Sequence, residues 1–250
     1  MSEKIKVLKY MVELLAIESW DDRIEEICQQ EQMKSVLFLS KAILEQAMMS
    51  ENYRDKIQEF NLLLPGEEDI LGRKSILFCE KHHLQFEEKF LKSMLQGFQE
   101  RGRSIYIIGD DYKKIEMFKQ YCKESYVELK ITGVFVGTQH MDDEVLLNDI
   151  NVTCPDIILV AIAPQFQENW ILSNVDKLNG KVCIGANILV ERLLESYKEE
   201  LGGEEELKFY RKLKQMKRRF INKWKRKVFL SEYERYMEQI EGQGIINEKG

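Results

Sequence analysis

Six short apolar or β-branched runs, each followed by a stretch with helical spacing, constrain this chain more than any other feature. The runs are SVLFL (35–39), NLLL (61–64), SIYII (104–108), LKITGVFV (129–136), DIILVAI (156–162) and KVCIG (181–185). The helix-like stretches lie at 40–50, 86–101, 112–124, 142–150, 167–178 and 187–200. A strand with no polar alternation is buried on both faces, and the intervening helices supply the cover. The expectation is an α/β fold, a Rossmann-like parallel sheet with helices on both faces. Residues 1–33 read as an acidic helical segment, because Leu8, Met11, Leu14, Leu15 and Ile17 recur near helical spacing. LGGEEE at 201–206 is the best hinge, since its glycines end the helix before it. Three divisions follow: an N-terminal helical segment (1–33), the Rossmann-like domain (34–203) and a basic helical appendage (204–250).

A hydrophobic share of 44% over 250 residues is enough for a sizeable core. No apolar run reaches the length of a membrane span. The start, MSEKIKVLKYMVELL, has no long apolar block or small-residue cleavage site, so it does not read as a signal peptide. Cys28, Cys79, Cys122, Cys154 and Cys183 show no paired spacing, which reads as reduced thiols in a cytoplasmic protein. His82, His83 and His140 make no metal cluster, and His82-His83 reads as a solvated helix start. Asp110-Asp111 and Asp142-Asp143 read as loop or cap pairs rather than a metal site, so neither metal nor cofactor is called for.

The net charge of −6 conceals a segregation. Leu207–Leu230, LKFYRKLKQMKRRFINKWKRKVFL, holds eleven Lys or Arg and no acid, leaving 26 basic and 43 acidic residues elsewhere, a net −17. Such placement points to an anionic partner. Phe209, Leu213, Met216, Phe220 and Trp224 recur every three or four residues, one apolar stripe opposite the charges. A helix of this kind can lie on an anionic membrane surface or pack on its own domain or a partner; nucleic acid ranks last, because the remaining surface is acidic.

Ligands of open α/β sheets bind beyond the carboxyl ends of the strands. That rule nominates 65–69, 109–111, 133–137, 163–168 and 185–191, with Gly109 and Gly133 admitting close backbone approach. No GxGxxG and no GxxxxGK[ST] is present, which counts against a common dinucleotide or P-loop site.

The stretch DIILVAIAPQFQENWI (156–171) resembles the strand–turn–helix of the WecG/TagA/CpsF glycosyltransferases, which reads roughly pDiilValG.PkQE.wI, with Gln167, Glu168, Trp170 and Ile171 in register. SVLFLSKAILEQAMMSENYRDKIQEFNLLLPG, SIYIIGDD, LKITGVFVG and FYRKLKQMKRRF are similar to further family segments in order, so the resemblance spans about 34–228. It implies transfer of a sugar from a UDP-sugar to a polyprenyl-diphosphate-linked sugar, without a metal, on the cytoplasmic membrane face, in cell-envelope polysaccharide or teichoic-acid synthesis. It also implies nucleotide-sugar contacts from Gly109, Gly133, Gln167, Glu168 and Glu191. Acceptor-diphosphate or membrane contacts would come from Arg211, Lys217, Arg218 and Arg219. The family's base candidate is the Asp of PDG, and here Gly66 stands in its place, leaving Glu67, Glu68 and Asp69 as substitutes. The family's T.N falls on Phe38 and Ser40, and its Arg-Ala-Pro and Arg-x-x-Gly signatures are absent. Two readings stay open: a transferase, or a catalytically silent relative acting as a binding or assembly subunit, alone or in an oligomer.

Overall fold

The computed structural model describes residues 2–82, 84, 86–137 and 143–201. Its centre is a six-stranded, wholly parallel sheet in the order β4-β3-β8-β7-β5-β6. The strands are β3 (Lys34–Leu39), β4 (Leu62–Pro65), β5 (Ser104–Gly109), β6 (Lys130–Val136), β7 (Ile157–Ala161) and β8 (Val182–Gly185). All six coincide with the apolar runs, so the expected α/β architecture is the one observed. Side chains alternate across the sheet. Phe38, Leu64, Ile107 and Leu159 enter one core with α1 (Ile17–Cys28), α5 (Glu87–Glu100), α6 (Tyr112–Ser125) and α9 (Asn187–Leu201). Leu39, Leu63, Ile108 and Val160 enter the other with α2 (Lys41–Met49), α3 (Glu51–Ile57), α7 (Asp143–Thr153) and α8 (Phe166–Asn174).

The N-terminus departs from expectation. Residues 2–15 form an antiparallel hairpin, β1 (Ser2–Val7) and β2 (Tyr10–Leu15), and only α1 is helical within 1–33. The turn carries Leu8 at φ 53, where glycine or asparagine would advertise a hairpin. Leu8 holds that conformation because its side chain is buried in the second core, whereas Met11, counted on the expected helical face, is 57% exposed. The hairpin lies against the β4 end of the sheet, and Tyr10 donates its hydroxyl proton to the Arg54 carbonyl. His82 also departs: it follows the last residue of α4 (Arg73–Lys81), so it marks a helix end, and His83 lies outside the described residues. All five cysteines are unpaired.

α1 joins the first core through Trp20, whose ring meets Phe38 at 6.2 Å and Phe90 at 5.5 Å between centroids. Phe38 thus points into the core and not into a cleft. Trp20→Ala is expected to cost about 3–5 kcal/mol, measured by denaturant unfolding. α1 and the sheet should still unfold in one transition, because they share that core.

Candidate functional site

The connections out of β5 and β7 diverge. β5 leads through α6 to β6 at one edge, β7 leads through α8 to β8 in the opposite direction, and α6 and α8 cover opposite faces. The topological switch point, the crevice at which open α/β sheets bind ligands, therefore falls between the carboxyl ends of β5 and β7. Asp110 spans it, accepting from the Ala163 N–H at 2.6 Å. Lys114, in the first turn of α6, donates to Asp110 at 3.2 Å and to Asn187 Oδ1 at 2.6 Å, and lies 3.9 Å from Glu191. Asn187, the first residue of α9, donates its side-chain amide to Glu191 at 3.0 Å. The first turns of α6, α8 and α9 thus meet around one ammonium, and the N–H groups of Lys114, Gln167 and Asn187 in those turns donate within the protein. Asp111 is the cap of α6, accepting from the Lys114 N–H at 2.7 Å, so the Asp110-Asp111 pair is structural.

Gln167 and Glu168 lie directly below this crevice, buried at 1% and 0% exposure. Gln167 accepts from the Asn187 N–H at 3.0 Å and donates to Glu168 at 3.0 Å. Glu168 also accepts from the Tyr53 hydroxyl at 2.8 Å and from the Gln165 N–H. These bonds close a capping box at the start of α8, where Gln165 sits at φ 73. Both side chains expected to meet a nucleotide therefore have protein partners and set the positions of the β7 and β8 turns. Burial pushes the Glu168 carboxyl up, against the pull of its hydrogen-bond donors. Glu191 is the more open of the nominated residues.

The nominated glycines serve packing. A Cβ on Gly109 would stand 2.1 Å from the Ile115 side chain, so glycine lets α6 close onto the strand. Gly133 lies inside β6, not beyond its end, and a Cβ there would strike the Tyr106 ring at 2.2 Å.

At the β4 end, Gly66 has no room for a side chain. A Cβ would lie 2.9 Å from the Leu39 carbonyl oxygen and 2.6 Å from Ile188. Glu67 is buried and committed, accepting from the Lys41 N–H at 2.6 Å and from Arg192 at 3.1 Å. Ser40 caps α2, accepting from the Ile43 N–H at 3.3 Å. Glu68 lines a separate cleft of about 650 Å³ bounded by α4 and the start of α5. Asp69 is half-buried beside it in the same single turn of 3₁₀ helix. Among the described residues, no group of His, Cys, Asp and Glu is arranged to hold a metal. Asp142, His140 and the basic stretch with Arg211, Lys217, Arg218 and Arg219 lie outside the described residues.

The model of the glycosyl transferase WecG/TagA/CpsF family matches residues 5–193, three quarters of the chain and nearly all of the sheet. The chain belongs to that family. No curated protein matches it.

Sequence reasoning missed Lys114, Asn187, Arg192 and Tyr53. DDYKK and ANILVE carry no motif that marks the lysine or the asparagine, and Tyr53 meets Glu168 across 115 residues.

Two outcomes follow. Tyr53→Phe removes a donor that favours the ionised form of Glu168, so the carboxyl, already raised, rises further. The penalty is felt where folded Glu168 is ionised and fades as pH falls through its raised folded-state value. Thermal melts should show a loss of about 1–2 kcal/mol at pH 8 and a smaller one at pH 5. Gly66→Asp, which restores the family residue, should cost about 1–3 kcal/mol because the Leu39 carbonyl is backbone and must shift. It should not raise turnover.

Proposed function

We propose that the chain is a sugar transferase that takes its donor from a UDP-sugar and passes the sugar to a polyprenyl-diphosphate-linked acceptor in cell-envelope polysaccharide or teichoic-acid synthesis. The observation that carries this reading is the crevice at the topological switch, where the first turns of α6, α8 and α9 surround Lys114 and Asn187. Helix N-termini and an ammonium suit the diphosphate of a nucleotide sugar, and they stabilise the charge that develops as UDP leaves. Gln167 and Glu168 support the reading from beneath, because they accept from the Asn187 and Gln165 N–H groups and so fix the two turns beside the crevice. Glu191, at the rim, is placed to accept from a ribose or sugar hydroxyl.

No helix among the described residues is long and apolar enough to cross a membrane. A lipid-linked acceptor then requires surface contact, which the eleven basic residues of 207–230 suit at an anionic bilayer. Arg211, Lys217, Arg218 and Arg219 would meet the acceptor diphosphate or the lipid headgroups, in a cytoplasmic protein held on the inner membrane face.

Calorimetric titration with UDP tests the crevice. Binding is expected, and Lys114→Ala should weaken it by roughly tenfold, about 1.4 kcal/mol, with salt reducing the wild-type affinity. Absence of UDP binding to the full-length chain would sink the reading.

A further inference from the structure

Lys114 and Glu191 stand 3.9 Å apart at the crevice, close enough to attract each other and too far for a hydrogen bond. Asn187 bridges them. Its Oδ1 accepts from the Lys114 ammonium at 2.6 Å, and its side-chain amide donates to Glu191 Oε1 at 3.0 Å. The amide is buried and has one workable orientation. Turned over, it would set its NH2 against the ammonium and its oxygen against the carboxylate. The backbone of Asn187 is held as well, because its N–H donates to Gln167, whose own amide is fixed by Glu168. An ammonium carries three N–H donors. Asp110 takes one at 3.2 Å and Asn187 a second, which leaves one among the described residues. Asp110 is tied in turn to the Ala163 N–H, so the ammonium is held from two fixed directions. Glu191 is bonded through Oε1 and keeps its other oxygen on a side chain that is half exposed.

We propose that Asn187 is a positioning residue that keeps Lys114 and Glu191 from closing into an ion pair. The ammonium thereby keeps one donor for the diphosphate of the nucleotide sugar, and the carboxylate keeps an oxygen for a hydroxyl of the same ligand. The proposal rests on the transferase reading. A neutral amide suits this task because it satisfies a cation with one end and an anion with the other. An apolar residue in its place would leave both charges short of a partner, and they would find each other. A carboxylate there would take the ammonium itself and repel Glu191. Closure of Lys114 onto Glu191 would use the remaining N–H and bring a carboxylate to the place where phosphate oxygens would bind, which disfavours an anionic ligand. Because Gln167 and Glu168 anchor the Asn187 backbone, the buried motif would act on the ligand through this one side chain.

The test sets crystal structures of the full-length chain and its variants beside calorimetric titration with UDP. In Asn187→Ala the Lys114 ammonium and the Glu191 carboxylate should close from 3.9 Å to about 2.8 Å. UDP affinity should fall with it, roughly tenfold. In a Glu191→Ala background, Asn187→Ala should change UDP affinity by less than about threefold, because no carboxylate is left to close on the ammonium. A residue that only held the fold would cost the same in both backgrounds, and that result overturns the proposal. So does an Asn187→Ala structure in which the two groups stay 3.9 Å apart. Asn187→Asp keeps the size of the side chain and guards against a failure of Asn187→Ala to fold. It should bind UDP weakly with or without Glu191→Ala, since the new carboxylate takes the ammonium; wild-type affinity in Asn187→Asp overturns the proposal. A wild type that binds no UDP overturns the transferase reading and the ligand role with it, while the Lys114–Glu191 distance in the Asn187→Ala structure still decides whether Asn187 holds the two apart.

Discussion

The carboxylate of Glu168 is the constraint on which the working end of this molecule depends. It lies wholly out of water, where an ionised group is costly unless its lone pairs are filled. Tyr53, Gln167 and the Gln165 backbone fill them. Gln165 and Gln167 belong to the turn that starts α8 and Tyr53 to α3, so satisfying one side chain locks that turn to α3. Gln167 extends the lock to α9 through the Asn187 N–H. The left-handed backbone of Gln165 is held by the same bonds. The turns that flank the β5–β7 switch point are thus held rigid by buried polar groups of the protein itself.

This explains why the stretch APQFQENW can carry the family likeness without lining the site. Its Gln and Glu occupy the family positions, yet the structure directs both inward. A motif can persist because it shapes a site as well as because it touches substrate. The residues that do reach the crevice, Lys114 and Asn187, lie outside that motif.

How much was legible follows from the same physics. Continuous apolar runs between helical stretches can be satisfied only by a doubly covered parallel sheet, so all six strands were readable from local pattern. The hairpin was not, because Leu8 adopts a glycine-like backbone for the sake of its own burial, and nothing in VLKY announces a turn. The strand-end rule nominated five turns, but it could not separate a glycine that admits a ligand from one that admits a close-packed neighbour. Gly109 packs against Ile115 of α6, and Gly133 against the Tyr106 ring of the neighbouring strand. The Tyr53–Glu168 and Arg192–Glu67 pairs join residues more than a hundred positions apart, where no local spacing operates.

The β4 end shows how packing and charge pairing together decide which carboxylates a turn can present. Once position 66 is glycine, the strand end packs against the Leu39 carbonyl and Ile188, and no carboxylate fits there. The neighbouring Glu67 turns inward to serve the α2 N-terminus and Arg192, and charge is thereby fixed where a base would need to be free. Arg192 in turn carries the influence of that pair across to α5. There Glu87, crowded by carboxylates and partly removed from water, keeps its proton to higher pH than an ordinary side chain of its kind. Burial and like charge raise proton affinity wherever they coincide. Packing leaves no room for a side chain at position 66, and that coincidence falls instead on Glu87 at the head of α5.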